Sequence, residues 1–335
     1  MKKKILIFII GAIVGSALLV LIFYFIGFQE IFSQMRKVGS LGIGVFLLNA
    51  FLIFFIDAVS WHVILKSYGH YLPFKDVLTA KLVGVAIGYL TPSMYIGGEP
   101  VRIYMTSKKY NLPITSIGAT VIVNKFLELG AGLFFVYLGS IWVLIEYSLP
   151  WQLYLTVLML DIIFGLGMGF IFVNFVYENK IFTSLVAFLG QIKPLSKIAT
   201  EIEPKVSKIE DEVFLAFNQH KRATAFAFFL NMIAGFLIFL KPAIFFCFLQ
   251  ILLKLSQLSL LFALTHLLLA FQFTPGGLGI FEVGTVGIYK LIGIQANKAL
   301  AYSLMNRMSD FAEVGIAAFL AVNLGLKGIF GSRKQ

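Results

Sequence analysis

The sequence predicts an all-α polytopic membrane protein, with about six full spans plus two broken re-entrant hairpins in two inverted-topology repeats. Three observations predict it. Of 335 residues, 59% are hydrophobic and only 13% charged, and the mean hydropathy is +0.93; soluble domains have roughly 45–50% apolar and about 25% charged residues, so most of this surface faces lipid. The apolar residues fall into stretches long enough to cross a bilayer. Two of those stretches are interrupted by tracts rich in Gly and Pro that also carry charge. The 27 Lys and Arg against 16 Asp and Glu give +11. They form no long basic run of the kind that binds nucleic acid, so the excess is assigned to membrane topology and no nucleic-acid partner is expected. Cys247 is the only cysteine, which excludes an intrachain disulfide.

In chain order, Lys2, Lys3 and Lys4 precede an uncharged run from Ile5 to Gly27. That run exceeds the about 7–15 residues of a signal-peptide core and matches the about 20 needed to span, so it is expected to be a retained first span with a cytoplasmic N-terminus. Residues 1–40 hold this span and a loop. Further spans are expected at 41–65, 113–147, 151–176, 222–250 and 298–325. Segments 77–107 and 257–295 are broken near their middles, over Thr91, Pro92, Gly97, Gly98 and Pro100 in the first and over Thr274, Pro275, Gly276, Gly277 and Gly279 in the second. Proline lacks an amide proton and glycine is costly inside a helix, so each segment should split into two half-helices. Non-helical backbone at membrane depth is tolerated only inside protein or beside a water-filled cavity, which makes both breaks candidate site markers. Residues 178–221 alone read as aqueous, with Leu195, Ile198, Ile202, Val206, Ile209, Val213 and Phe217 at helical spacing. This amphipathic connector is expected to be divided by Pro204 into two helices on the cytoplasmic surface or against the bundle.

The two broken segments are copies. Thr91-Pro92 precedes Glu99 by the same eight positions that separate Thr274-Pro275 from Glu282; Asn124-Lys125 with Glu128 matches Asn306-Arg307 with Asp310, and Leu48-Asn49 matches Leu230-Asn231. The chain is therefore read as one membrane domain, 1–335, with repeat one at 41–147, a linking span and connector at 148–221, and repeat two at 222–327. Counting spans from a cytoplasmic N-terminus makes the repeats inverted and the C-terminus cytoplasmic. Of the 27 bases, 17 then lie on the cytoplasmic side, in keeping with the positive-inside bias. The competing topology splits 222–254 at Lys241-Pro242 into two short spans and makes the repeats parallel. Inverted repeats with broken helices near the midplane point to the secondary-transporter class.

Charges at membrane depth cost at least about 2.5–3.5 kcal/mol on insertion scales and usually face the bundle interior. Those expected there are Asp57, Lys81, Glu99, Arg102, Lys125, Glu128, Asp161, Glu282, Arg307, Asp310 and Glu313. Glu99, Arg102, Lys125, Glu128, Glu282, Arg307 and Asp310 form the candidate substrate-binding set. Glu99 and Glu282 open corresponding half-helices, and Arg102 adds a planar fork suited to phosphate or carboxylate. Two readings stay open: the acids cap their half-helices and pair with Arg307 and Lys125 as scaffolding, or the bases bind an anionic headgroup while the acids bind an amine or carry a proton. His62 and His266 are read as packed. No His-Glu-x-x-His, Walker loop, Gly-x-Ser-x-Gly or acidic metal cluster occurs, so no catalytic residue, metal or cofactor is expected.

The motifs Thr-Pro-x5-Gly-Glu-Pro-x-Arg (Thr91 to Arg102) and Thr-Pro-Gly-Gly-Leu-Gly-x-x-Glu (Thr274 to Glu282), followed by Asn306-Arg307, resemble the flippase-like membrane domain family, the transmembrane region of lysylphosphatidylglycerol synthases. The resemblance covers nearly the whole chain. It implies movement of a modified phospholipid between leaflets, with Glu99, Arg102, Glu282 and Arg307 as the family-like residues. The separate aminoacyl-transferase domain of the lysylating members is not expected here, since Gln335 follows the last span directly. The expectation is a non-enzymatic plasma-membrane translocase for an anionic or modified phospholipid or a polyprenyl-phosphate-linked lipid, with homo-oligomerisation and a lipid-modifying enzyme in trans as further partners. The alternatives are an enzyme or enzyme partner acting on lipid-linked substrates and an ion-coupled small-solute carrier.

Overall fold

In the computed structural model, the residues described are 24, 28–91, 97–146, 151–192, 195–269 and 274–323. The expected span 5–27, apart from Tyr24, lies outside them, as do Pro92 and the C-terminal bases. The regular elements among the described residues are helices: α1 (Phe28–Ser67), α2 (Phe74–Leu90), α3 (Glu99–Tyr110), α4 (Ile114–Glu146), α5 (Trp151–Val176), α6 (Ile181–Gly190), α7 (Ser196–Asn218), α8 (Lys221–Phe248), α9 (Leu255–Leu269), α10 (Ile280–Leu291) and α11 (Ala296–Asn323). Among the described residues four helices, within α1, α4, α5 and α8, are long and apolar enough to cross a membrane. Helix α11 has 28 residues but carries Lys298, Arg307, Asp310 and Glu313. The protein is an all-α membrane protein.

Three sequence expectations are corrected. Residues 28–38 are helical, not loop: α1 runs through Gly39, which bends it with φ 70°. The spacing of Ile31, Met35 and Val38 buries one face against Phe46, Phe245, Tyr289 and Met305, and that apolar stripe outweighs the polar Arg36-Lys37 tip. The connector is divided between Gly190 and Ser196 and not at Pro204, which sits inside α7. Pro204 lies on the exposed side, where the carbonyl it leaves unpaired, that of Thr200, can reach water. Helix α8 continues through Pro242, so the competing topology with two short spans is not what forms.

Packing repeats when the two units are exchanged. The first hairpin limb α2 lies on α11, and its counterpart α9 lies on α4; the second limbs α3 and α10 pack on α4 and α11 of their own units; α1 also meets α11 as α8 meets α4. The most extensive contact joins the matching helices α1 and α8. The matched asparagines belong to it, Asn49 donating to the Leu237 carbonyl at 3.3 Å and Asn231 to Ser60 Oγ at 2.7 Å.

Helices α3 and α10 have 12 residues each, about 18 Å at 1.5 Å per residue, too short for a hydrocarbon core of about 30 Å. The first hairpin closes at its base, where Asp76 at the start of α2 pairs with Lys109 at 2.9 Å and accepts from Tyr110, both at the end of α3. At its tip the limbs touch through backbone: a Cβ on Gly98 would lie 1.7 Å from the Gly84 carbonyl oxygen. Helix ends that the sequence assigns to one side meet one another. Leu65, Leu72, Val77 and Ile117 form one cluster, and Tyr289, Ile294 and Ala299 join Ile31 and Met35 in another.

Gly98→Ala is therefore expected to force the hairpin apart and destabilise the fold by about 1–3 kcal/mol, as overpacking does. Gly132→Ala, whose Cβ meets nothing within 4 Å on α4, is expected to be neutral or stabilising by up to about 1 kcal/mol. Thermal melting of the detergent-purified variants checks both, and equal melting temperatures would refute the close approach.

Candidate functional site

The hairpin tips and the long helices of both units enclose a cavity of about 620 Å³. Of the seven candidate binding residues, Glu99, Arg102, Lys125, Glu128, Arg307 and Asp310 line it. The seventh, Glu282, is fully buried behind the wall and bonded to Arg307. Residues nearly two hundred positions apart thus share one chamber, as the repeat implies.

The second hairpin is built around Glu282. Gly276, Gly277 and Gly279 all have positive φ, so the turn at Pro275–Gly277 and the entry to α10 use backbone that only glycine adopts freely. Thr274 Oγ1 donates to the Leu278 carbonyl at 2.9 Å and closes the turn. The Glu282 carboxylate accepts from the Gly279 amide at 2.7 Å, satisfying an orphan donor at the helix start. Its other oxygen takes Arg307 Nε at 2.6 Å. One terminal nitrogen of Arg307 then donates to the Gly276 carbonyl and, at 2.8 Å, to the Tyr89 hydroxyl of the first hairpin. Gly276 is required here for space as well, since a Cβ would stand 2.7 Å from the Tyr89 ring. Arg307 therefore fastens its own hairpin to α11 and both to the opposite hairpin.

The first unit distributes its charges differently. Arg102 pairs with Glu99 at 2.6 Å on its own helix and stacks on Trp61 at 4.5 Å. Lys125, the counterpart of Arg307, makes no ion pair with the hairpin among the described residues and pairs with Glu128 at 2.9 Å. Of the two pairings in the scaffolding reading, Arg307 thus bonds to the acid of its own unit's hairpin, while Lys125 pairs with neither Glu99 nor Glu282. Lys81 pairs with Asp57. Asn124 links these groups, accepting from Lys81 at 3.5 Å and Arg102 at 3.4 Å and donating to Asp57 and Ser60 at 3.4 Å. Thr91 returns its hydroxyl to the Ile87 carbonyl at 2.9 Å, closing the end of α2, and Gly97 and Gly98 form the turn into α3.

Sequence reasoning left Lys241, Tyr89, Tyr302 and Ile238 out of the site; all four line the cavity. The signal for Lys241 was available, since it is a lone charge in the apolar run of α8 beside Pro242. Pro242 also frees the Ile238 carbonyl of its helical partner at the cavity wall. Glu313, named only as a membrane charge, lines the cavity, whereas Asp161 does not and is held by Ser140 at 3.0 Å on the α4–α5 side. His266 lines the wall with one ring nitrogen on the Phe262 carbonyl at 2.8 Å.

Residues 8–318 match the family model described as Lysylphosphatidylglycerol synthase TM region. The chain is 23% identical over 326 residues to a UPF0104 membrane protein of Methanocaldococcus jannaschii, covering 96% of each. It is likewise 23% identical over 327 residues to a UPF0104 membrane protein of Pyrococcus horikoshii, covering 93% of each.

Removing one partner of a buried ion pair costs about 3–5 kcal/mol because the other charge stays behind. Glu282→Gln and Arg307→Met are each expected to lose about that much, and the double variant to recover part of it. Equilibrium unfolding of the four proteins gives the coupling energy, and additive losses would refute the latch.

Proposed function

The chain belongs to the lysylphosphatidylglycerol synthase TM region family, and from that premise we propose that it is a lipid translocase, moving an anionic or modified phospholipid, or a polyprenyl-phosphate-linked lipid, between leaflets. The observation that carries the reading is the charged cavity of about 620 Å³ where the two hairpin tips meet. That volume falls in the roughly 300–1,000 Å³ range of small-molecule sites and suits a headgroup, with the acyl or isoprenoid tail left in lipid. A structural bundle has no need of ten acidic and basic side chains, counting Asp, Glu, Lys and Arg, around a chamber, whereas a polar group crossing the bilayer needs a substitute for water.

The exchange symmetry of the packing supports an alternating mechanism. If the units are inverted, one unit can open its side while the other stays latched, giving two states of similar energy. The state described has Arg307 bonded to Glu282 at 2.6 Å, while Lys125 stays with Glu128 on its own helix, so the second hairpin is held by an ion pair from this repeat position and the first is held by other contacts, Lys81 with Asp57 and Arg102 with Asn124. On this reading Glu99, Arg102, Lys125, Glu128, Arg307 and Asp310 face the headgroup and Glu282 holds the hairpin. The protein works without chemical catalysis in the plasma membrane, its termini and connector cytoplasmic, in keeping with the distribution of bases.

Leaflet exchange of fluorescent phospholipids in proteoliposomes tests the reading. Wild-type protein is expected to accelerate exchange, and Arg102→Gln with Glu282→Gln to lower the rate about tenfold or more while still reconstituting, since each removes a charge-assisted contact. An unchanged rate in the double variant overturns the site, and no exchange by wild type with any candidate lipid overturns the function. Turnover of a lipid-linked substrate by the purified protein would favour the enzymatic alternative.

A further inference from the structure

The cavity's charges do not cancel evenly. Of its five bases, Lys81, Arg102 and Lys125 each have a carboxylate of the first unit at ion-pair distance, and Arg307 has Glu282. Lys241 has no carboxylate within 4 Å among the described residues; it lies over the Phe46 ring at 5.1 Å. The carboxylates that act on it are Asp310 and Glu313, one turn apart on α11. These two acids, in turn, have no base within 4 Å among the described residues, because Arg307, which should neutralise Asp310 as Lys125 neutralises Glu128, has turned to the hairpin. Arg307 itself keeps one spare donor. Its side chain lines the cavity and is 5% exposed, yet its Nη2 is buried with no hydrogen-bond partner among the described residues. A buried charged donor left unmade is costly, and an acceptor in the cavity would satisfy it.

We propose that Lys241 and the free Nη2 of Arg307 hold a phosphate group in this cavity, and that Asp310 and Glu313 compete with it for the Lys241 ammonium. The inference rests on the cavity being the headgroup site of the translocase and assigns the phosphate to its second unit. Arg102 and Lys125, which the sequence favours, are already neutralised locally. The unit exchange places Ala58 or Val59 opposite Lys241, so the first unit has no such receptor. Guanidinium and ammonium groups together match a phosphate oxyanion, the first by directed hydrogen bonds and the second as a mobile point charge. Around the two acids the facing groups are Lys241 from α8, Tyr89 from α2, Asp57 from α1 and Glu282 from α10, with Arg307 and Tyr302 on their own helix; of these, only Lys241 is a cation without a pair among the described residues.

The sign of one substitution separates this arrangement from scaffolding. If the acids held Lys241 for stability alone, their loss would weaken everything the cavity does; as competitors, their loss must strengthen phosphate binding. The probe is dihexanoylphosphatidylglycerol, titrated calorimetrically into detergent-purified full-length protein, with inorganic phosphate as a separate arm. Lys241→Gln is expected to raise Kd about tenfold or more, the loss of one charge-assisted contact. Lys241→Arg should retain binding, and Asp310→Asn with Glu313→Gln should lower Kd at least about threefold, as expected when a competing charge is removed. Lys205→Gln on the connector serves as the surface control. An unchanged Kd in Lys241→Gln, or a raised Kd in the acid double variant, overturns the proposal. If Lys241→Gln does not fold, Lys241→Arg and the acid variant carry the test unaided. Inorganic phosphate binding as tightly as the lipid would keep the phosphate site and end the lipid reading. Lipid binding that depends on Lys241, without leaflet exchange in proteoliposomes, would keep the site and end the translocase reading.

Discussion

The guanidinium of Arg307 is the joint on which the centre of the molecule depends. It meets the Glu282 carboxylate at 2.6 Å, the Tyr89 hydroxyl at 2.8 Å and the Gly276 carbonyl, and so binds a long helix, its own hairpin tip and the opposite hairpin. Each broken hairpin leaves backbone groups that lipid cannot satisfy, so the break is stable only if protein supplies the partners. Glu282 supplies one to the Gly279 amide and Arg307 one to the Gly276 carbonyl. The ion pair in turn can sit at such depth because the hairpin surrounds it. Charge and break are therefore solutions to each other: either alone would be expelled from an apolar bundle, and together they are self-consistent.

From near-identical motifs the chain builds two different ion-pair arrangements. Lys125 and Arg307 occupy the same repeat position, three residues before Glu128 and Asp310, yet the lysine stays on its own helix and the arginine crosses to the hairpin. The chemistry of the two side chains accounts for the difference. A guanidinium presents several donors in a fixed plane and can serve a carboxylate, a carbonyl and a hydroxyl at once, whereas an ammonium is a point charge content with one carboxylate. In the first unit the planar fork is supplied from elsewhere, by Arg102 on the half-helix itself, lying over Trp61 and bonded to Glu99. The consequence of moving Arg307 is the unpaired trio of Lys241, Asp310 and Glu313, which repeat one does not possess.

The sequence made the hairpin breaks and most of the site legible because both rest on local rules. Pro and Gly interrupt a helix wherever they stand in numbers, and charge in an apolar run must face inward, so Glu99, Arg102, Lys125, Glu128, Arg307 and Asp310 are all legible from the residues alone. What escaped depends on facts that are not local. Lys241 looked like a topological boundary because beside Pro242 it resembled an end of a span; the structure instead spends the proline on the cavity wall, where the unpaired Ile238 carbonyl does no harm. Pro204 leaves its helix intact for the converse reason, since the helix is exposed there and water accommodates the lost bond. Partner choice was equally illegible: spacing brings Lys125 near Glu128 and Arg307 near Asp310 alike, and only the hairpin's approach decides that Arg307 leaves. The helix at 28–38 was hidden by Arg36-Lys37, although Ile31, Met35 and Val38 carried the stripe.

Near-complete pairing suits the cavity to a passing ligand better than an open cluster of bases would. Transferring an ionised group into a medium of low dielectric costs of order 20 kcal/mol in the Born limit, so a headgroup cannot cross the hydrocarbon core unassisted. A chamber lined by ion pairs and hydroxyls offers oriented dipoles in place of water and lowers that cost without a strong net charge. Were the four paired bases all free, a phosphate would be held too tightly to leave, and transport requires binding that is favourable enough to enter and weak enough to release. A lone ammonium with its own carboxylates as competitors meets that requirement directly: the ligand gains one charge contact while the protein gives up a weaker one of its own. On the proposed reading, the imbalance confined to Lys241, Asp310 and Glu313 sets the affinity, and the balanced remainder of the wall makes the polar environment.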